Sequence, residues 1–461
     1  MCPRVVEKKA AEMRNYLSGF HQKGSLKKDA VVTLGMTILG RGLGFFIPVL
    51  IATWFGTDQK TDAFFLAYAI WLFVTLAFGN VFETVVVPFV VEQRSQNKPL
   101  GRFVREILGK ATLILAVIAF VLLLVVKPIL KITTGFSPEA IALVRMLMIE
   151  MLSMIFLSLA TDTINGVLNA CKMFAVPALS PGFRSLVVIL TVLLLKNGFG
   201  IHAIAWAYGI GEGVRFLVSC IYFSKQMKET KIPGQKTEDT ASFFKCMVPQ
   251  LFGLTFINLI FLVDQSMASW FGPGALTTYA YAERLRNVLF LLFSAGTGSV
   301  ALSYWANQFG AKTTPILWPK IKSVIWGLFW LSAFFALGMV FFRFPLSTLL
   351  FKHGEFPTKN LHQVSDLFGI LVMGVPFQVM ALLGVRFLIV LKRNAFYMVI
   401  GFLRLILDAP LNYLFMHFIG INGIALSTTF LDVLFAFFIY QRMKAMIKIS
   451  EWDMGMSDAK C

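Results

Sequence analysis

Residues 40–56 read GRGLGFFIPVLIATWFG, an apolar run of helix length that carries a single arginine, Arg41, and turns at Gly56. The chain re-enters as TDQKTDAFFLAYAIWLFVTLAFGNVFETVVVPFVVEQ over residues 57–93. The same plan returns over residues 263–308, VDQSMASWFGPGALTTYAYAERLRNVLFLLFSAGTGSVALSYWANQ. Ala52-Thr53-Trp54-Phe55-Gly56 pairs with Ala268-Ser269-Trp270-Phe271-Gly272, and Thr61 pairs with Thr277. Self-similarity at about half the chain length marks a duplicated membrane fold rather than a short-period solenoid. Two halves facing each other across a cavity are expected.

Composition supports this reading independently. A chain of 461 residues that is 57% hydrophobic, 14% charged and has a mean hydropathy of +0.74 is too apolar for a soluble globule. From Ala30 onward, apolar stretches long enough to cross a hydrocarbon core recur about twelve times. They cover about 30–55, 63–91, 108–130, 139–170, 173–195, 200–223, 243–271, 277–306, 323–345, 362–391, 395–418 and 421–441. The fold class is therefore an all-α polytopic membrane protein with about twelve transmembrane helices in two six-helix lobes. Pro88, Pro177, Pro181, Pro249, Pro376 and Pro410 within or beside these stretches predict bent or broken helices.

The net charge of +18 does not indicate a nucleic-acid partner, because the basic residues lie in short loops between apolar runs and not on one soluble face. They crowd alternate loops, around Arg94 to Arg105, Lys225 to Lys236, Lys312 to Lys322 and Lys392-Arg393. The positive-inside rule then places both termini in the cytoplasm. Residues 1–29 are basic and lack a long apolar core, so they read as a cytoplasmic tail and not as a cleavable signal peptide. An amphipathic helix on anionic headgroups and a frayed solvated terminus are both compatible with that tail. The long polar interruption Ser224 to Thr240 divides the spans six and six. The expected organisation is an N-terminal tail at 1–29, an N-lobe at 30–223, a cytoplasmic linker at 224–242, a C-lobe at 243–441 and a cytoplasmic tail at 442–461. Two further echoes fit the duplication: Gly200-Ile201-His202-Ala203-Ile204-Ala205 with Gly420-Ile421-Asn422-Gly423-Ile424-Ala425, and Thr134-Gly135-Phe136-Ser137-Pro138 with His353-Gly354-Glu355-Phe356-Pro357. Both halves begin on the same side, so the repeats are parallel.

No catalytic constellation is visible. The five cysteines form no CxxC pair, and the five histidines stand in no metal or nucleophile arrangement, so no metal, disulfide or cofactor is expected. The absence of a GxxxxGK[ST] loop disfavours an ATP-driven pump and points to an ion gradient, the membrane potential or the substrate gradient as the energy source.

The informative residues are charges inside the apolar stretches. Arg41, Arg145, Arg184, Arg215, Arg284, Arg286, Arg386 and Arg404 fall within predicted spans, where lysine is nearly absent. Each costs roughly 2.5–3.5 kcal/mol at mid-depth, so most must face protein or water. Arginine donates bidentately and stays charged, which favours a phosphate-bearing substrate over an organic cation. Acidic companions include Asp62, Glu83, Asp162, Glu212, Asp264, Glu283, Asp408 and Asp432.

Packing explanations compete with binding at each position. Arg404 with Asp408, four apart, and Glu212 with Arg215, three apart, read as local ion pairs within a helix. Arg41, Arg284 and Arg286 lie on the two equivalent hairpins and are candidate substrate-binding residues, with Asp62, Glu83, Asp264 and Glu283 as gating or charge partners. Asp62 also stands where a helix N-cap is wanted, so capping and gating both remain open. Gly40, Gly42 and Gly44 permit either bending or close helix packing.

Several of these stretches resemble the MurJ/MviN family of murein-precursor (lipid II) flippases, within the multidrug/oligosaccharidyl-lipid/polysaccharide exporter superfamily. The resemblance rests on GRGLGFFIPVLIATWFG with TDQKTDAFFLAYAI, Gly166-Val167-Leu168-Asn169-Ala170 leading to Phe174-Ala175-Val176-Pro177, Val263-Asp264 with Tyr281-Ala282-Glu283-Arg284-Leu285, and Leu349 to Phe356. It implies a MATE/MurJ-like fold and a transporter, not an enzyme. It also implies a bacterial inner membrane and alternating access for a polyprenyl-pyrophosphate-linked saccharide, with membrane lipids and a coupling ion or the membrane potential as further partners. By resemblance Arg41 is the first-helix cavity arginine, Asp62 the aspartate opening the second helix and Arg284 the arginine of the eighth. The chain departs from the family pattern at Ile47-Pro48, about Thr75 and Asn80, where family charges are missing, and Glu83 follows one turn later. Lipid II flippases of the family commonly carry two further C-terminal helices, whereas about twelve spans are read here. The alternatives are a flippase for another polyprenyl-linked polysaccharide unit, a MATE-like cation or drug antiporter, and a non-transporting scaffold or scramblase.

Overall fold

Helix follows helix along this chain because a bare backbone finds no hydrogen-bond partner in hydrocarbon, and a helix satisfies its own. The computed structural model describes residues 25–95, 100–171, 173, 175–227, 240–310, 314–390 and 394–458. Among them there is no strand. The first half holds α1 (Ser25–Phe55), α2 (Gln59–Ser95), α3 (Leu100–Thr133), α4 (Pro138–Glu150), α5 (Leu152–Ala170), α6 (Ala175–Phe199) and α7 (His202–Met227). The second holds α8 (Thr240–Ala268), α9 (Ala275–Gly310), α10 (Thr314–Phe341), α11 (Arg343–Phe351), α12 (Thr358–Val372), α13 (Val375–Val390), α14 (Asn394–Ile419) and α15 (Asn422–Asp458).

The predicted apolar stretches each fall on a helix, with α4–α5 and α12–α13 each a single interrupted pass. The first interruption is a 42° bend at Met151. The Trp71 indole N–H donates to the Met148 carbonyl at 2.8 Å and occupies one of the acceptors the bend frees. Sequence reading missed α11, and α15 continues through most of the stretch read as a C-terminal tail. The N-terminal tail up to residue 24 and linker residues 228–239 lie outside the described residues.

By length and apolarity alone, eight described segments qualify as membrane spans, or nine with the bent α4–α5 pair. Within their apolar sequence α8 and α9 carry Asp264, Gln265, Glu283, Arg284 and Arg286. Outer helices show the reverse pattern. Only 17% of the Ile321–Phe341 window is buried, against 67% for Gln59–Gly79 of α2. Leu194, Phe334, Phe341 and Phe418 stand exposed on outer faces, as they would toward lipid and not toward water.

The duplication is visible in the packing. In the first lobe α1 packs on α6, α2 on α5, α6 on α7 and α5 on α7. In the second, α8 packs on α14, α9 on α13, α14 on α15 and α13 on α15, the same contacts between equivalent helices. An ion pair repeats with them: Arg184 to Glu212 at 2.8 Å and Arg404 to Asp432 at 2.5 Å, both partners displaced by the same interval that relates Gly200 to Gly420. This corrects one expectation, since Arg404 reaches across to α15 instead of pairing with Asp408 on its own helix. The Glu212–Arg215 pair is present as expected, at 3.2 Å.

The α1–α6 crossing is close because it is made of glycine. A Cβ added at Gly40 would lie 2.4 Å from the Ala178 carbonyl oxygen, whereas one at Gly42 would meet nothing within 4 Å. Gly44 faces Ser185 on the same side as Gly40, so these two glycines serve packing. Gly40→Val is therefore expected to destabilise the detergent-solubilised protein by about 1–3 kcal/mol, while Gly42→Ala leaves it unchanged. Fluorescence-detected thermal unfolding reads the difference, and equal melting of the two variants would contradict the crossing described.

Candidate functional site: an inter-lobe cavity closed at both ends

Four turns meet at one end of the bundle, and each comes from a motif that the sequence repeats. Gly354, left-handed at φ 64°, lets the α11–α12 turn reach the end of α1, where the Glu355 N–H donates to the Thr53 carbonyl at 3.0 Å. A Cβ at Gly354 would sit 2.1 Å from that carbonyl oxygen, so only glycine permits the approach. The equivalent crossing joins the α8–α9 and α3–α4 turns: the Gly135 N–H donates to Ser269 Oγ at 3.1 Å, and the Trp270 indole N–H to the Thr133 carbonyl at 3.0 Å. Each lobe's first turn thus seats on the other lobe's second turn.

Asp62 is the centre of this closed end. The first turn of α2 is capped by Asp58, whose Oδ1 accepts from the Thr61 N–H at 2.8 Å. Asp62 is thereby free to reach the other lobe. Its carboxylate accepts from the Gly274 N–H at 2.6 Å, the Thr277 N–H at 2.7 Å and the Thr277 hydroxyl at 2.6 Å. It caps a helix after all, but the helix is α9 of the opposite lobe. Full burial of a carboxylate is costly, and three donors at a helix N-terminus offset that cost. The Asn360 amide donates to Thr57 Oγ1 at 2.5 Å beside it.

At the other end the first turns of α8 lie against the N-lobe. Phe243, fully buried, packs edge-on against Phe82 and Phe89 of α2, with ring centroids 5.4 and 5.5 Å away. Phe103 of α3 and Phe244 complete the cluster, and Lys110 donates to Thr240 Oγ1.

Between the two ends lies a cavity of about 160 Å³. Leu72, Phe73 and Leu76 of α2 form its N-lobe wall, and Asn258, Gln265, Glu283, Arg284 and Asn287 of α8 and α9 its polar C-lobe wall. The Arg284 guanidinium carbon stands 5.3 Å from the Tyr68 ring centre and 5.7 Å from that of Phe65. These aromatic faces hold the cation in place. Among the described residues Arg284 makes no ion pair.

The other expected site residues separate. Glu283 lines the cavity and accepts from Arg286 Nη2 at 3.3 Å. Arg286 is buried behind it and does not line the cavity, and its Nε and Nη1 find no partner among the described residues. Asp264 is not a link between lobes. It lies inside the C-lobe, where Asn412 donates to it at 2.8 Å, Tyr279 at 2.9 Å and Thr428 at 3.3 Å. The side chains of Arg41 and Glu83 lie outside the described residues. Sequence reading missed Phe65, Tyr68, Asn258 and Gln265. The three-residue spacing of Phe65 and Tyr68 put both on one face of α2, but nothing in the sequence showed that Arg284 faces them.

A two-lobed, twelve-pass bundle enclosing a polar cavity between its halves defines a membrane transporter of the exporter type. The family described as Lipid II flippase MurJ matches residues 51–460, and the chain belongs to it. It is 27% identical over 380 residues to the lipid II flippase MurJ of Burkholderia cenocepacia, covering 76% of this chain and 71% of that protein. It is 26% identical over 427 residues to a probable lipid II flippase MurJ of Buchnera aphidicola subsp. Baizongia pistaciae, covering 88% and 81%. Among solved structures, a lipid II flippase MurJ in an inward closed conformation superposes with a TM-score of 0.77 at 20% identity, over 90% of this chain and 87% of that one. An inward-facing multidrug resistance MATE family transporter gives 0.75 at 12% identity, over 91% and 98%. Both likenesses are of fold.

If Asp62 holds the end closed, Asp62→Ala strands the α9 N-terminus and shifts the balance toward opening by tenfold or more, about 1.5–3 kcal/mol. A disulfide engineered between Thr57→Cys and Asn360→Cys measures closure directly. Cross-linking should fall sharply in the Asp62→Ala background, and an unchanged yield would show that Asp62 does not hold this end.

Proposed function

We propose that this chain is a lipid II flippase that carries the polyprenyl-pyrophosphate-linked saccharide across the bacterial cytoplasmic membrane by alternating access. The lobes are taken as residues 30–223 and 243–441, joined by the linker at 224–242, with both termini in the cytoplasm. The observation that carries the proposal is Arg284: a guanidinium held between aromatic faces, directed at the inter-lobe cavity and without a carboxylate partner among the described residues. Such a group in a low-dielectric cavity is completed by an anion that offers several oxygens, as a pyrophosphate does. Family membership and the names of the relatives supply the saccharide-linked lipid.

In this mechanism Arg284 binds the pyrophosphate, and Arg41 on α1 supplies a second cation from the N-lobe. Arg286, neutralised by Glu283, keeps the acidic wall in position and does not touch substrate. The polyprenyl tail stays in lipid. Translocation requires the Asp62 contacts with Gly274 and Thr277 to break when that end opens, and the Phe243 cluster to part when the other does. Only one end opens at a time, so the headgroup changes sides without a continuous pore.

Coupling is assigned to the C-lobe interior. Asp408 Oδ1 and Asn412 Oδ1 are buried beside Asp264 without a hydrogen-bond donor among the described residues, which leaves two acceptors for a cation or a proton. The proposal is tested by headgroup translocation in proteoliposomes with purified lipid II and with another undecaprenyl-pyrophosphate-linked oligosaccharide. Arg284→Ala should lower lipid II movement about 100-fold, a loss of about 3 kcal/mol. Asp408→Asn should abolish acceleration by an imposed ion gradient while slow downhill movement persists. Wild-type rates in Arg284→Ala would overturn the site, movement of the other glycan alone would overturn the substrate, and a full gradient response in Asp408→Asn would overturn the coupling assignment.

A further inference from the structure

The C-lobe wall of the cavity carries more than the cation. Asn258 and Gln265 lie seven residues apart on α8, two helical turns, so both face the cavity about 10 Å apart along the axis. Gln265 is 2% exposed. Its Oε1 and the Nδ2 of Asn258 are buried and have no hydrogen-bond partner among the described residues. An unpaired buried donor and an unpaired buried acceptor each cost about as much as a lost hydrogen bond, and native proteins retain few of them. Both residues line the same space as Arg284.

We infer that Asn258 and Gln265 form a subsite for the sugar next to the pyrophosphate, a hexosamine whose hydroxyl and acetamido groups both donate and accept. This inference rests on the proposed flippase reading and adds to it which part of the headgroup the C-lobe reads. The two amides are neutral and both donate and accept, so they complement a polar, uncharged group. Phe73 and Phe261 border the cavity and offer apolar faces to the C–H face of a pyranose ring. A wall built to complete hydrogen bonds discriminates strongly against a ligand that lacks them, because its own polar groups are then left unpaired.

The test uses the full chain in lipid nanodiscs and two probes, lipid II and undecaprenyl pyrophosphate, with equilibrium binding as the readout. The wild type should bind lipid II at least about tenfold more tightly. Asn258→Leu with Gln265→Leu should weaken lipid II binding about 30-fold, equivalent to about 2 kcal/mol, and leave undecaprenyl pyrophosphate within about twofold. Retained undecaprenyl pyrophosphate binding also shows that the double variant is folded. Arg284→Ala should weaken both probes. Equal wild-type affinities, or equal losses for both probes in the double variant, would overturn the sugar subsite while the flippase reading stands. Binding of neither probe by the wild type would overturn both.

Discussion

The contact on which the rest of the structure depends is the reach of Asp62 across the lobe boundary. A carboxylate shut away from water is tolerable only while its acceptors are filled, and the donors that fill them belong to the N-terminus of α9. In the proposed mechanism that dependence makes the closed end a two-state element. Either the lobes are together and Asp62 is satisfied by protein, or they are apart and it must be satisfied by water. The crosswise seating of Gly354 on Thr53 and of Trp270 on Thr133 adds shape complementarity to the same state. These contacts come from both lobes, so in the proposed mechanism they part together.

Duplication explains the architecture, and divergence between the copies explains the chemistry. Both lobes keep the arginine–carboxylate pair between equivalent helices, Arg184 with Glu212 and Arg404 with Asp432. The N-lobe then adds Arg215 and Asp162, which pair at 2.7 Å, so its interior charges balance. Around Arg404 the C-lobe instead gathers Asp432, Asp408 and Asp264, with Asn412, Thr428 and Tyr279 supplying neutral donors. One lobe carries its neutralising cations on its own side chains. The other leaves open acceptors, and this asymmetry would let ion binding act on one half of an otherwise symmetric machine.

Much of the fold was legible because the bilayer imposes a rule that a sequence cannot hide: each pass needs about 20 apolar residues. The repeats Trp54-Phe55-Gly56 and Gly354-Glu355-Phe356 were likewise visible, and they proved to be the interlocking turns. What sequence could not supply was direction. Spacing of four suggested Arg404 with Asp408, yet the partner is on the neighbouring helix, where separation in sequence says nothing about distance. The interval between the repeats maps Arg184 and Glu212 onto Arg404 and Asp432, but that each pair is in contact is seen only in the fold. Asp62 was readable as a cap or as a gate because both use the same geometry, and only the fold shows that the capped helix belongs to the other lobe. Arg284 was found as a charge, but its aromatic clamp depends on which face of α2 looks across the cavity.

The central claim is that one end of the bundle alternates between the closed arrangement and an open one. It is tested most directly by electron–electron spin-resonance distances between labels at Lys60 and Lys359, exposed residues in the first turns of α2 and α12. Measured in nanodiscs with and without lipid II, the account predicts a short distance from the closed state and a longer population whose share changes when lipid II is added. A single distance that stays fixed under conditions of measured translocation would contradict it.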